Sequence, residues 1–230
     1  MYKYLLEFSK TGTICFISHL DTMRLFKRSF KRAGIDPAYS KGFNPHPKMS
    51  FAQPLALGYE GLAEYMEFET EDYRDPGEVK EKINRLMPEG IKILRCLEAA
   101  GMTKTLASAV EAAEYLIKIP AENLLGKEGE EMKEAYMGSP EIMAEKVSKK
   151  KKRTEYVDIK PMIRDISLYT EEGILTAEAV LDCGSRSNLS PELVIKTLDA
   201  AFCLKADRSE AEVTRRRIFF GEEQEKILKI

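Results

Sequence analysis

Between Tyr2 and Leu97 the apolar residues change period in a fixed order, and that order limits the fold more than any other feature of the chain. Tyr2 to Ser9 (YKYLLEFS) alternates as a strand. Lys10-Thr11-Gly12 is a turn, and Thr13 to Ile17 continues extended into a helix that begins at Ser18 and stops at Gly34. Lys48 to Leu57 (KMSFAQPLAL) reads as a strand, bulged or at a sheet edge because Pro54 lacks an N–H. Ala63 to Thr70 alternates strictly, with Tyr65, Glu67 and Glu69 on one face and Glu64, Met66 and Phe68 on the other. Pro76 opens a second helix with Val79, Ile83, Leu86 and Met87 as its apolar stripe, and Pro88 ends it. Ile91 to Leu97 is a last strand. The order β-α-β-β-α-β is that of the ferredoxin-like split βαβ unit, an antiparallel sheet with two helices on one face.

The second half repeats that order loosely. Thr105 to Ala113 reads as a short alanine-rich helix and Glu114 to Pro120 as a strand. Ala121 to Tyr136 reads helical, interrupted at Gly126 and Gly129. Thr154 to Ile159 is strand-like, and Asp165–Tyr169 with Ile174–Leu181 form a hairpin across Glu171-Glu172-Gly173. Ser190-Pro191-Glu192 caps a helix running to about Phe202, and Val213 to Phe220 closes the pattern as a strand. The expectation is an α+β protein of two ferredoxin-like halves. Residues 1–100 form one and residues 101–230 the other, the second with an inserted hairpin around the basic run Lys149–Arg153. No residue-level repeat connects the halves.

Composition narrows the class. A chain of 230 residues with 43% hydrophobic content buries a sizeable core. No apolar run reaches the ~20 residues of a membrane helix, and Met1 to Leu5 lack a signal-peptide core, so a cytoplasmic location is expected. The net charge of −2 means that a nucleic-acid site has to be a local patch. Cys15, Cys96, Cys183 and Cys203 show no CxxC spacing and no cluster-binding run. They read as reduced thiols, with Cys15 and Cys96 packed as small hydrophobes.

The stretch Ser18 to Phe51 concentrates the chemistry, including both histidines, His19 and His46. Ser18 with Asp21 makes an N-cap with an acid in the first turn. Met23, Phe26, Phe30 and Ala33 share one helix side; Arg24, Lys27, Arg28, Lys31 and Arg32 share the other. Such a basic stripe is either a solvated face or a phosphate contact. In Gly42-Phe43-Asn44-Pro45-His46-Pro47 the two prolines fix their own φ and push Asn44 and His46 toward extended conformations, which gives the His46 ring a defined direction.

The runs FSKTGTICFISHLDTMRLFKRSFKRAGI and YSKGFNPHPKMSFAQPLALG resemble the radical-SAM-associated family of unknown function. Its members occur fused behind a B12-binding radical SAM protein or as a separate short chain. The resemblance implies a companion radical SAM enzyme acting on RNA or a ribosome-related substrate. This chain has no cysteine motif for the radical SAM cluster, so the expected role is binding, substrate presentation or cluster-free chemistry.

Two function classes follow. The first is an RNA-directed accessory module without catalysis: Arg24, Lys27, Arg28, Lys31 and Arg32 track phosphates, Tyr39 and Phe43 stack on a splayed base, and Lys41, Asn44, His46 and Lys48 add polar contacts. No RRM signature is present, so this reading rests on charge and fold. The second is metal-independent RNA cleavage, as in the ferredoxin-like CRISPR endoribonucleases that the layout resembles. There His19 is the base, His46 the acid, and Lys41 or Lys48 stabilises the phosphorane. His19, Asp21 and His46 are a permitted metal-ligand set without diagnostic spacing. The reading assigns no metal and no cofactor.

Overall fold

The computed structural model describes residues 1–148 and 153–228. It divides into two units, residues 1–111 with 217–230 and residues 112–216. The first unit therefore takes its last segment from the far end of the chain, whereas the sequence reading set a single boundary at 100/101.

In the first unit β1 (Tyr2–Lys10) leads through a turn into α1 (His19–Arg32), followed by β2 (Met49–Phe51), β3 (Glu60–Thr70), α2 (Pro76–Asn84), β4 (Ile91–Glu98) and the single turn α3 (Leu106–Ala109). β1 pairs antiparallel with β3 and with β4, and β2 pairs antiparallel with β3. The strands of this unit run in the order β4-β1-β3, and β2 pairs with β3 off that path. Period-two alternation puts Tyr4, Leu6 and Phe8 of β1 and Met66 and Phe68 of β3 on one face. There they pack with Phe26 and Phe30 of α1 and Val79 and Ile83 of α2. Two buried rings of α1 lie edge-on to the sheet, Phe26 against Phe8 at 5.0 Å and Phe30 against Phe68 at 4.8 Å.

The second unit runs β5 (Val110–Pro120), α4 (Gly129–Met137), β6 (Met143–Ser148), β7 (Arg153–Asp158), β8 (Ile163–Glu171), β9 (Ile174–Asp182), α5 (Pro191–Phe202) and β10 (Glu212–Phe220), of which the residues from Arg217 belong to the first unit. β9 pairs antiparallel with β5 and β8, and the strand order is β10-β5-β9-β8. β6 and β7 form a separate antiparallel hairpin. Of the basic run Lys149–Arg153, which the sequence reading placed in an inserted hairpin, Lys149–Lys152 lie outside the described residues. The last described element is α6 (Glu222–Leu228), which the sequence reading did not anticipate.

The molecule is thus α+β with a mostly antiparallel sheet. Several local expectations need correction. Thr13–Ile17 is not extended: Gly12–Phe16 is a 3-10 turn, because the side-chain ammonium of Lys10 donates to the carbonyls of Cys15 (3.4 Å) and Ile17 (3.0 Å) and curls the segment back. The strand expected over Lys48–Leu57 is confined to Met49–Phe51; Pro54 has no ladder N–H, and the chain turns so that Gly58 N donates to Cys15 O (3.0 Å). The helix expected over Thr105–Ala113 ends at Ala109, and alternating burial continues the segment as β5. Ala121–Tyr136 is a 3-10 turn at Glu122–Leu124 and then α4, divided at Gly126 with φ 80°. The four cysteines are free thiols, with Cys15, Cys96 and Cys183 buried. Burial pushes the Cys96 thiol up to about 12.

Candidate nucleic-acid interface and the pocket beside it

Local sequence fixes the start of α1. Ser18 is extended, its hydroxyl accepts from Asp21 N (3.1 Å), and the same hydroxyl donates to the Asp21 carboxylate (2.7 Å). Arg24 closes on the other carboxylate oxygen at 2.9 Å. Asp21 is exposed, yet these partners, Ser18 first and Arg24 second, hold its carboxyl below the usual range. At the far end Gly34 takes φ 67°, and Ile35 N donates to Phe30 O (3.0 Å). The helix is pinned at both ends and buries Thr22, Phe26, Ser29 and Phe30.

Its outer face carries the five cations anticipated. Arg24, Lys27, Arg28, Lys31 and Arg32 are all exposed. Arg24 is committed to Asp21, while Lys27, Arg28, Lys31 and Arg32 form no ion pair among the described residues. An unpaired run of cations on one helix face is the local patch that a chain of net negative charge needs in order to hold a polyanion.

The proline-rich loop follows directly. Its two arms are stapled to β3: Ala38 N donates to Glu69 O (2.7 Å) and Glu69 N to Lys48 O (3.1 Å). The loop then closes on itself, Ser40 N donating to His46 O (2.8 Å) and His46 N to the Ser40 hydroxyl (3.0 Å). Between these bonds Lys41, Gly42, Phe43, Asn44, Pro45 and His46 are exposed, and Phe43 is 100% exposed. Tyr39 is also exposed. Lys48 is different: its ammonium is held by the Glu69 carboxylate at 2.6 Å, and it is only partly accessible.

The two histidines meet different surroundings. His46 lies in the exposed loop. His19 is half-buried at the start of α1, edge-on to the Phe51 ring at 5.2 Å, and lines a small cavity with Phe8, Lys10, Thr22, Phe51, Gln53, Leu55 and Glu64. No cavity or contact joins the two histidines among the described residues. The cavity holds about 10 Å³ of free space, enough for one water. Burial, and secondarily the charge of Lys10, lowers the His19 pKa, which keeps the ring neutral near pH 7.

Lys10 and Glu64 were not anticipated as site residues. Both are only 3% exposed. β1–β3 pairing brings them together, with Phe8 opposite Glu64 and Lys10 opposite Gly61. Burial lowers the Lys10 pKa, opposed by the nearby Cys15 and Glu64. The signal was present in the sequence: period two places Lys10 on the face of Tyr4, Leu6 and Phe8, and Glu64 on the face of Met66 and Phe68. Two charges at core positions of adjacent strands mark a buried pair. Among the described residues no group of three or more His, Cys, Asp and Glu side chains is placed to hold a metal ion, and no helix is long and apolar enough to cross a membrane.

Comparison with solved structures shows likeness of fold alone. A chain from the crystal structure of a Cbf5-Nop10-Gar1 complex superposes with a TM-score of 0.53 at 12% identity, covering 96% of this chain. The present chain spans 50% of that chain's length. The crystal structure of an unknown protein from Galdieria sulphuraria matches over 93% of this chain and 98% of that one, at 9% identity and a TM-score of 0.29. No curated protein matches. The model of a family described as uncharacterized proteins conserved in bacteria, DUF2344, matches residues 3–191. With more than half of its length matched, the chain belongs to this uncharacterized bacterial family, DUF2344.

Proposed function

We propose that this protein is an RNA-directed accessory module that presents RNA to a partner radical SAM enzyme, with no catalysis of its own. The observation that supports this reading is the outer face of α1, where Lys27, Arg28, Lys31 and Arg32 are exposed and without ion pairs among the described residues, next to a stapled loop that carries Phe43 and Tyr39 outward. Cations supply the sequence-independent part of RNA affinity through counterion release, and exposed rings supply stacking. The split βαβ arrangement expected from the element order is a scaffold that other RNA-binding modules use. The resemblance of the Ser18–Asp21 and Gly42–Pro47 motifs to radical-SAM-associated proteins supports the identity of the partner. The nuclease alternative needs His19 and His46 in one cleft, and no observation here favours it.

The test is equilibrium binding of RNA by the intact chain across a salt series, with the host's radical SAM protein added in a parallel arm. Changing Arg28, Lys31 and Arg32 together to Gln should weaken binding and make the salt dependence shallower by about 2 log units per log unit of salt, at roughly 0.7 per lost phosphate contact. Affinity and slope unchanged in that variant would defeat the RNA reading. Failure of the radical SAM protein to co-elute with the chain, with and without RNA, would defeat the partner assignment.

A further inference from the structure

Three large apolar side chains are exposed at the amino-terminal end of α1, and none was a candidate from sequence. Phe16 is 71% exposed, Leu20 65% and Leu57 63%. The 3-10 turn that ends at Phe16 is held from beneath by Lys10, and Gly58, next to Leu57, passes under the Phe16 ring: a Cβ at Gly58 would lie 3.6 Å from that ring. Cys15 O accepts from Gly58 N at 3.0 Å and fixes the two segments together. Leu20 begins the exposed face of α1, which continues at helical spacing through Arg24, Lys27, Arg28 and Lys31. From Leu20 to Lys31 that face extends about 16 Å at ~1.5 Å per residue. The Cys15–Gly58 bond thus holds Phe16 and Leu57 close in the fold, and Leu20, four residues on from Phe16, opens the exposed helix face that carries the cations. His19, the residue before Leu20, lines the small cavity together with Gln53.

From this juxtaposition we infer that the nucleic acid bound by α1 is single-stranded RNA, with an unpaired base seated on Phe16, Leu20 and Leu57 while its phosphates follow Arg24 to Lys31. The inference rests on the RNA reading above and deepens it. Charge alone does not distinguish strand states, since duplexes and single strands both carry phosphates. The apolar end does. A π face is available for stacking only when a base is unstacked, whereas a duplex hides its base faces. The platform is rigid: it is tied by backbone hydrogen bonds and by a buried ammonium, so little ordering entropy is lost when a base arrives. A protein partner would find a hydrophobic anchor there too, but the cationic face that continues from it selects a polyanion.

The experiment uses the full chain and a fluorescein-labelled 12-nucleotide RNA of mixed sequence, free or annealed to its complement, read by anisotropy at several salt concentrations. The single strand should bind at least about 10-fold more tightly than the duplex. Phe16→Ala should weaken single-strand binding by about 5- to 100-fold, the effect of one lost stacking contact, and leave the salt slope unchanged. Phe16→Tyr should retain affinity, and an unchanged melting temperature for Phe16→Ala would show that the fold is intact. Duplex binding as tight as single-strand binding, or Phe16→Ala with unaltered affinity, overturns this inference while RNA binding through the basic face stands. Binding that also ignores the Gln substitutions on α1 overturns the underlying reading as well. Phe16→Ala that weakens association with the radical SAM protein but not RNA binding overturns the inference in favour of protein docking.

Discussion

At the scale of single residues, Lys10 is the side chain on which most of the site's geometry depends. Its ammonium is buried beside Glu64 and satisfies the carbonyls of Cys15 and Ile17, the two that shape the entry to α1. Lys10→Met leaves those acceptors without their donor and Glu64 without its cation. The expected loss is about 3–5 kcal/mol in chemical denaturation, partly recovered in the double variant Lys10→Met/Glu64→Gln. His19 gives a pH signature. Burial first, and Lys10 second, hold its folded pKa below the ordinary 6.5. As pH falls from 6.5 toward the folded value, the unfolded chain binds the proton first, so stability is lost over that window and complete above it. Wild type should therefore lose more stability between pH 7.5 and pH 5 than His19→Gln, measured by urea midpoints. Gly90 is the third such residue. Its φ is 87°, and a Cβ there would approach Thr11 O to 2.3 Å and the Ile14 side chain to 2.8 Å. Gly90→Ala should cost at least about 1–3 kcal/mol, because both the conformation and the space are wrong.

At the scale of elements, α1 has two separable faces. Ser18→Ala removes the hydroxyl that caps Asp21 N and should cost about 1 kcal/mol. Phe26, fully buried between the rings of Phe8 and Phe51, should cost about 3–5 kcal/mol when changed to Ala. The Gln substitutions on the basic face should shift stability by less than about 0.5 kcal/mol, since surface positions without partners contribute little. Thermal melts of the three variants check this order. If the basic-face variant destabilises as strongly as Phe26→Ala, that face is buried in solution and unavailable to RNA.

At the scale of the whole molecule, residues 217–230 belong to the first unit. Phe220 packs edge-on to Tyr65 at 5.2 Å, Leu228 O accepts from Arg95 at 2.7 Å, and Glu223 accepts from Thr103 N at 2.8 Å. A chain ending at Arg216 should lose stability in the first unit by at least the ~3–5 kcal/mol of a deleted buried ring. A fragment of residues 1–100 should give no cooperative melt by circular dichroism, although the sequence pattern alone marks it as self-contained.

The amino-acid sequence by itself determined the local features, for which the information is short-range. Ser18 and Gly34 bound α1 because caps act within a turn, the period of Phe26 and Phe30 names its buried face, and Pro76 and Ser190-Pro191 open helices where the structure has them. The five cations of α1 were legible for the same reason. Only the tertiary structure decided what depends on which strands become neighbours. Pairing of β1 with β3 brought the charges of Lys10 and Glu64 together in the core, and the bonds of the Lys10 ammonium to Cys15 O and Ile17 O turned an expected extended segment into the 3-10 turn that ends at the exposed Phe16. The return of residues 217–230 to the first unit also has no local signature, because the contacts of Phe220 and Leu228 lie more than a hundred residues away in sequence, at Tyr65 and Arg95. Period and capping are encoded over a few residues; register and neighbourhood are settled by the free energy of the assembled sheet.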